Sequence, residues 1–353
     1  MKTVQQFLAA ALSLLILTSC GAKSKNQTSD DGVVITAAGA TFPLPYYNLA
    51  FKTYQQNAAN DVTYGGVGSG GGIRSLKDKV VDFGGTDAYL SDKELANMPG
   101  EVLHIPTCMG AVVLAYNLAG INQLNLNAVS LEGIYQGTIT SWDDPQIAAL
   151  NPSVTLPKLA ITPVYRSDGS GTTYVFSDYM SKASTAWAAN KGTGKSLKWD
   201  FGVAAKGNPG VAGIIKQTPG AIGYIGSEYA FAVKIPSASL QNPKGEFVAA
   251  TTATISAAAN GTHAADSRQM ITNSPAEGAY PISCFTWIIL YKEQAYASRE
   301  KNQAVQTLSL LKWMLSAEAQ SLTTKVHYAP LPANVIEVAT KNLDTVSFNG
   351  ETL

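Results

Sequence analysis

The sequence predicts an α/β protein of two lobes with a ligand cleft between them. The chain has 353 residues, a length that is typical of two domains rather than one. Strand-like and helix-like segments alternate from residue 33 to residue 118, and the alternation returns after residue 129. Hydrophobic residues make up 46% of the chain and charged residues 14%, so each lobe can bury a large core.

The first stretch of the chain predicts a mostly parallel sheet with helices on both faces. We expect strands at 33–39 ("VVITAAG"), 61–69 ("DVTYGGVGS"), 81–88 ("VDFGGTDA") and 111–117 ("AVVLAYN"). We expect helices at 44–56, at the segment that opens with 71–79, and at 91–98. Ligands of such sheets favour the carboxyl ends of the strands, so the loops that follow the strands are the first places to search.

The second stretch repeats this order. We expect a helix at 129–136, a strand at 160–165, a helix from residue 171 and a strand at 221–226. Residues 240–278 are rich in Ala, Thr, Asn and Ser and indicate a loop-rich excursion. The chain then returns as a buried strand, "CFTWIILYK" at 284–292, and as one long amphipathic helix at 302–321.

The amino-terminal residues are predicted to lie outside the fold. Lys2 supplies a positive start, and the apolar run at 7–17 is too short for a permanent transmembrane helix. The run ends in "LTSC", which resembles the bacterial lipobox, so we expect residues 1–19 to be a signal peptide and Cys20 to be lipidated. Residues 20–32 then form a polar tether. The alternative is an ordinary secretory signal with an incidental cysteine.

Export determines how the remaining cysteines are interpreted. Cys108 and Cys284 would lie in an oxidising compartment, each within an apolar strand-like run, so they either form a disulfide or remain two buried thiols.

The three histidines, His104, His263 and His327, are scattered, so neither a metal site nor a histidine-based catalytic site is predicted. Lys+Arg and Asp+Glu are balanced at 25 each, which argues against nucleic acid as a partner.

Four short stretches share one signature, in which a strand is followed by glycine or small hydroxylated residues and then by a helix start. They are "GATFP" (39–43), "GVGSGGG" (66–72), "GGTDA" (84–88) and "RSDGSGTT" (166–173). A helix start offers free backbone N–H groups and about half a positive charge. Glycine lets a ligand approach the backbone, and Ser and Thr add hydroxyl donors. Together with Arg166, these stretches predict a site for a small oxyanion.

Two enzymatic interpretations of these stretches have little support. The P-loop requires a lysine after its glycines, whereas Ile73 and Arg74 follow Gly72. Ser170 does not lie in a G-x-S-x-G elbow, and no histidine is placed by the sequence to act as its base. A secreted phosphatase that uses the same loops therefore remains a weaker alternative than a binding protein.

Seven segments, taken in order and spacing, resemble the substrate-binding proteins of the high-affinity bacterial ABC phosphate importer, here in a lipoprotein form. They are "AGATFPLPYY", "YGGVGSGGGI", "VDFGGTDAYLSD", "VVLAYN", "IYQGTITSWDD", "RSDGSGTTYVFSDY" and "GAIGYI". The resemblance covers residues 35–335. It implies a two-lobed periplasmic-binding-protein fold of the class II type, in which each lobe is a mixed, mostly parallel sheet flanked by helices and two hinge strands join the lobes. We expect lobe 1 at 33–113 and 286–353, and lobe 2 at 114–285.

The resemblance also implies which residues contact phosphate. The expected contacts are the backbone N–H and hydroxyl of Thr41, the backbone N–H of Phe42, the hydroxyl of Ser69, the carboxylate of Asp87 as an acceptor, and Arg166, Ser170, Gly171 and Thr172 as donors. Asp168 matches the carboxylate that pairs with the arginine and orients it. Gly70, Thr86 and Tyr89 depart from the residues that are common in the family, and none of them removes an expected contact.

Asp87 carries the prediction of specificity. A carboxylate in an anion site is repulsive unless the anion still carries a proton, which phosphate does at neutral pH and sulfate does not. Such a polar mismatch can discriminate on the order of ten-thousandfold. The alternative for Asp87 is a helix cap, although Ser91 fits that role better. The alternative for Arg166 is a surface salt bridge with Asp168.

The sequence therefore predicts a monomeric, lipid-anchored protein of the cell envelope that binds phosphate and delivers it to the permease subunits of an ABC importer. It predicts no cofactor, no metal, no nucleic-acid partner and no enzymatic activity. A binder of another oxyanion, such as sulfate or molybdate, is the main alternative.

Overall fold

The computed structural model describes residues 32–353, which form one compact unit. The predicted signal peptide and Cys20 lie outside the described residues, as does the tether except for its last residue, Gly32. Within the described part of the chain, no helix combines the length and the apolar character that a membrane span requires.

Strands and helices alternate as expected from the sequence. The first third contains β1 (Val34–Gly39), α1 (Leu44–Gln55), β2 (Asp61–Gly66), α2 (Ser69–Lys77), β3 (Phe83–Thr86), α3 (Asp92–Ala96) and β4 (Val102–Tyr116). The middle contains β5 (Asn125–Leu126), α4 (Ala128–Gln136), α5 (Pro145–Leu150), β6 (Thr162–Arg166), α6 (Gly171–Ala183), α7 (Thr185–Asn190), β7 (Val203–Ala205), α8 (Gly207–Gln217), β8 (Ala221–Gly226) and α9 (Ser227–Val233). The last third contains β9 (Ser239–Gln241), β10 (Phe247–Val248), α10 (Thr252–Ala257), β11 (Ser283–Tyr291), α11 (Lys301–Met314), α12 (Ala317–Thr323), a 3₁₀ turn (Thr324–Val326), α13 (Ala333–Leu343), β12 (Ser347–Phe348) and β13 (Glu351–Thr352).

One curled sheet of eight strands runs through the molecule in the order β2-β1-β3-β11-β4-β8-β6-β7. Its outer strands pair in parallel, whereas β11 and β4 at its centre pair with their neighbours antiparallel. We call the half built by β2, β1, β3 and β11 the first lobe, and the half built by β8, β6 and β7 the second lobe. This mixed architecture is the two-lobed periplasmic-binding-protein fold that the sequence predicts.

The long strand β4 belongs to both lobes. Its first part, up to Ala111, pairs with β11, and its last part, from Val112, pairs with β8. The sequence indicated only the second part, because Pro106 interrupts the strand pattern. The structure accommodates this proline at an irregular register beside Trp287, which is how strands tolerate a residue without an N–H group. The expected lobe boundaries at 113/114 and 285/286 stay a prediction.

Two predicted elements end differently in the structure. The single helix expected at 302–321 is wrong, because it is divided into α11 and α12; Ser316 caps α12 by accepting a hydrogen bond from the N–H of Ala319. The strand expected at 61–69 ends at Gly66, because Ser69 already begins α2. Residues 240–278 contain only short elements, as expected.

The aromatic core of the first lobe fixes the loop that follows β1. Tyr46, Tyr47 and Phe51 are buried residues of α1, and Tyr64 meets the ring of Tyr47 edge-on at 5.0 Å between centroids. The hydroxyl of Tyr64 donates to the carbonyl of Ala40 at 2.9 Å. Core packing therefore holds the first glycine-containing loop in place.

The two cysteines do not form a disulfide. Cys108 and Cys284 are both free and buried on the central strands. Cys108 lies opposite Thr286 and Cys284 lies opposite Gly110, so the two thiols are not direct cross-strand partners. Burial raises the pKa of both thiols well above the ordinary value, which keeps them protonated and unreactive.

Candidate functional site

All four glycine-containing stretches meet at the carboxyl ends of strands, between the two lobes. Thr41 and Phe42 lie between β1 and α1, Ser69 begins α2, and Asp87 directly follows β3. Since β1, β2 and β3 are parallel, these loops share one edge of the sheet. In the second lobe, the stretch from Arg166 to Thr172 joins β6 to α6. Every predicted contact residue is buried.

Ser69 connects the two lobes. Its Oγ accepts hydrogen bonds from the backbone N–H of Gly171 at 3.0 Å and of Asp87 at 3.3 Å. A Cβ at position 171 would lie 2.4 Å from Ser69 Oγ and 2.6 Å from Asp87 Oδ2, so only glycine permits this approach. The N–H of Gly171, which we expected to face a ligand, is therefore bonded to Ser69.

Arg166 is a buried cation held by Asp168. Its Nε and Nη2 donate to Asp168 Oδ1 and Oδ2 at 2.7 and 2.6 Å, and its Nη1 donates to Thr172 Oγ1 at 3.2 Å. The hydroxyl of Tyr224 accepts the backbone N–H of Arg166 at 3.1 Å. Burial opposes ionisation of Asp168, but the hydrogen bonds and charge of Arg166 prevail and lower its pKa. The surface salt bridge is thus excluded, because the arginine side chain is only 1% exposed.

Asp87 is a buried carboxyl group, and one of its oxygens accepts a hydrogen bond from the central strand β11. Thr286 of β11 donates to Asp87 Oδ1 at 2.8 Å. Burial raises the pKa of Asp87 to about 7, although the hydrogen bond from Thr286 and the charge of Arg166 act in the opposite direction. Asp87 does not cap a helix, since Ser91 forms a capping box with Glu94 at the start of α3. The other oxygen, Oδ2, faces Gly171 across the cleft.

Ser170 has a structural role in addition to its expected one. Its Oγ accepts the backbone N–H of Thr173 and so caps α6 at 3.0 Å. Among the described residues, the backbone N–H groups of Thr41, Phe42 and Thr172 have no protein acceptor. These three N–H groups and the hydroxyl proton of Ser170 are open to a bound anion.

Sequence reasoning missed Asn208, the second residue of α8. Its side chain bridges Thr41 and Thr172, and the neighbouring Gly207 donates its N–H to Asp168 Oδ1 at 3.1 Å. The signal was present, because "VAAKGN" is again a strand followed by glycine, a polar residue and a helix start. The strand β7 has only three residues and was not recognised.

A second buried acid, Glu228, lies near the site at the start of α9. Its carboxyl group packs on Gly226, where a Cβ would lie 2.1 Å from Oε1. Burial raises the pKa of Glu228 to about 8, and the negative charge of Asp87 adds to the shift. Burial therefore favours the neutral form of Glu228, as it does for Asp87.

Glu228→Gln is expected to stabilise the protein at alkaline pH. The folded state holds the Glu228 proton more tightly than the unfolded state, so stability is lost as the pH rises from 4.5 through about 8. Glutamine cannot ionise, so the variant should melt above the wild type at pH 9 and close to it at pH 5. Glu277→Gln, at a side chain 90% exposed, is the control. If the melting temperatures of Glu228→Gln and the wild type differ by the same amount at pH 5 and pH 9, the raised pKa of Glu228 is contradicted.

Comparisons with known proteins place the chain in a family. A model described as a PBP superfamily domain matches residues 23–318. The phosphate-binding protein PstS of Xylella fastidiosa strain Temecula1 is 37% identical over 319 residues, which cover 89% of this chain and 85% of the relative. The chain belongs to the PstS family of phosphate-binding proteins. PstS of Haemophilus influenzae is 37% identical over 86% of this chain and 90% of its own length.

A solved structure agrees with the PstS fold. A substrate-binding protein of a phosphate ABC transporter from Clostridium perfringens, solved with bound phosphate, matches with a TM-score of 0.62. The match covers 85% of this chain and 100% of that protein at 17% identity, and so concerns the fold alone.

Proposed function

We propose that this PstS-family chain captures inorganic phosphate between its lobes and delivers it to an ABC-type phosphate importer. One observation carries the proposal. Hydroxyl and guanidinium donors from both lobes converge beside the buried carboxyl group of Asp87, whose Oδ1 accepts from Thr286 and whose Oδ2 faces Gly171 across the cleft. A protonated oxyanion satisfies both kinds of group, and phosphate is the common anion that keeps a proton at neutral pH.

Calorimetric titration tests the proposal. The chain without residues 1–20 is unfolded and refolded to remove any bound ligand, and then titrated with phosphate and with sulfate. We expect one phosphate per chain and no heat of binding from sulfate at pH 8. Absence of phosphate binding by the folded chain, as judged by circular dichroism, would refute the proposal, and tight sulfate binding would show that the site holds another oxyanion.

The proposed site residues are those expected from the sequence. The contacts are Thr41, Phe42, Ser69, Asp87, Arg166, Ser170 and Thr172. Gly171 belongs to the site through its N–H bond to Ser69, and Asp168 orients the arginine.

The chain is a binding protein and not an enzyme, which its likeness to phosphate-binding proteins supports. Incubation with p-nitrophenyl phosphate should release no more product than buffer does.

We further propose that the protein is a monomer held at the cell envelope by a lipid on Cys20. The support is the sequence "LTSC" at residues 17–20, after a short apolar run. In bacterial cells, the wild type should sediment with the membranes, and Cys20→Ala should move to the soluble fraction. Cys108→Ala, at a buried thiol, is the control and should stay with the membranes. Equal fractionation of the wild type and Cys20→Ala would exclude the anchor.

Closure of the lobes depends on Gly68. This residue has φ +87°, and a Cβ there would lie 2.3 Å from Asp168 Oδ2 of the other lobe. Gly68→Ala should therefore weaken phosphate binding about tenfold or more, since the methyl group separates the lobes. Gly120→Ala is a matched control, because Gly120 has φ +76° and nothing within 4 Å of a Cβ. Equal phosphate affinity of the two variants would show that position 68 is not a contact of the closed state.

A further inference from the structure

The side chain of Asn208 forms hydrogen bonds with three different residues of the cleft, and the proposed function gives it no role. It is fully buried, and its Nδ2 donates to Thr41 Oγ1 at 3.0 Å and to Thr172 Oγ1 at 3.1 Å. Its Oδ1 accepts the backbone N–H of Gly226 at 3.0 Å. Since a backbone N–H can only donate, this last bond fixes which side of the amide is oxygen. Asn208 therefore joins the first lobe to two elements of the second.

These bonds determine where the threonine protons point. A hydroxyl group has one proton and two lone pairs. Thr41 Oγ1 accepts both the side-chain and the backbone N–H of Asn208, the latter at 3.1 Å. Thr172 Oγ1 accepts Asn208 Nδ2 and Arg166 Nη1. With both lone pairs occupied, each hydroxyl can act only as a donor to a further group, which is the role that an anion requires of it.

We propose that Asn208 is a positioning residue of the phosphate site. It directs the hydroxyl protons of Thr41 and Thr172 toward the ligand, and its bond to Thr41 holds the two lobes together in the closed state. The inference rests on the proposed function. A neutral amide suits this task because it supplies two N–H donors without adding charge. Aspartate at position 208 would keep the shape and the acceptor for Gly226, but it would lose both donors and add a repulsive charge.

Loss of the hydrogen bond from Asn208 to Thr41 is expected to raise the rate at which phosphate dissociates. The bond from Asn208 to Thr41 joins the lobes, so it exists only in the closed state, whereas an incoming anion meets the open cleft. Loss of contacts made after encounter changes the dissociation rate more than the association rate. Asn208→Ala should raise the phosphate dissociation rate about ten- to a hundredfold and leave the association rate within about threefold. Asn208→Asp should weaken binding at least as much.

Stopped-flow release of phosphate from the purified protein tests this expectation. Asn151→Ala is the matched control, because Asn151 is a buried residue that makes three hydrogen bonds in the same lobe, to Asn125 and Ile147. Both alanine variants should lose thermal stability, but only Asn208→Ala should release phosphate faster. Equal release rates for wild type and Asn208→Ala, or an equal increase in both variants, would overturn the proposal. If the wild type itself binds no phosphate, the proposed function fails instead.

A double-mutant cycle separates orientation from general damage. Thr172→Val removes the hydroxyl that Asn208 orients and retains a side chain of similar shape. If Asn208 acts through this hydroxyl, Asn208→Ala should have a clearly smaller effect on phosphate affinity in the Thr172→Val background than in the wild type. Fully additive effects would contradict the positioning role. Should Asn208→Ala fail to fold, Asn208→Asp in the same cycle provides the measurement, with the same two outcomes.

Discussion

Arg166→Ala is expected to reduce phosphate affinity by about thirtyfold to several thousandfold, one of the two largest effects that we predict. The side chain is buried, carries the only guanidinium described in the cleft, and donates through Nη1 to Thr172 in the centre of the site. Truncating one member of a buried charge pair costs about 2–5 kcal/mol in binding, which corresponds to a factor of about thirty to several thousand. Calorimetric titration with phosphate measures the change.

The interpretation of this variant needs two controls. Arg166→Ala leaves Asp168 without its cation, which destabilises the fold as well as the site. The double variant Arg166→Ala/Asp168→Ala removes both charges and should recover thermal stability while phosphate binding remains lost. Arg74→Ala removes an equal charge from an exposed position of α2 and should bind normally. Near-wild-type phosphate affinity of the double variant would show that Arg166 is not a ligand contact.

Asp87→Asn is expected to admit sulfate. Asp87 Oδ1 is occupied by Thr286, so Oδ2 is the acceptor for the proton of phosphate, and an unprotonated sulfate would meet this carboxylate with repulsion. Asparagine can instead donate through its amide. Phosphate affinity should fall modestly, while sulfate affinity should rise by about a hundredfold or more, within the ten-thousandfold range of such polar mismatches.

Competition titrations at several pH values measure this specificity. Since burial raises the pKa of Asp87 to about 7, the wild type should reject sulfate less strongly as the pH falls below 7 and the carboxyl group becomes protonated. The Asp87→Asn variant should lack that pH dependence. Asp92→Asn, at a side chain 92% exposed, is the control and should behave as the wild type does. Continued rejection of sulfate by Asp87→Asn would mean that the specificity has another source.

The sequence was sufficient for the order of the elements and for the convergence of the site. Each stretch that carries Thr41, Ser69, Asp87 and Arg166 follows a strand and precedes a helix or a short turn. Parallel pairing places the loops of Thr41, Ser69 and Asp87 at one edge of the sheet. The Arg166 loop follows β6, which runs antiparallel to these strands, and it meets them because the two lobes face each other across the cleft. The capping role of Ser91 was also readable, because serine followed three residues later by glutamate is a local signal.

Features that depend on tertiary contacts were not predictable in this way. Thr286 is a polar residue in a largely apolar strand, and its role became visible only when β11 paired beside Asp87. Asn208 follows a strand too short to recognise. The break between α11 and α12 is encoded by Ser316, but its cap lies within a continuous helical pattern of apolar residues. In each case the deciding interaction is distant in sequence or is masked by a stronger local pattern.

A crystal structure of the protein with bound phosphate would locate the ligand and its partners directly. We expect one phosphate between the lobes, bonded to Thr41, Ser69, Arg166 and Thr172, with Asp87 Oδ2 in a short hydrogen bond of about 2.5–2.7 Å to a phosphate oxygen. Phosphate bound elsewhere, or an Asp87 carboxyl group turned away from the ligand, would contradict this expectation.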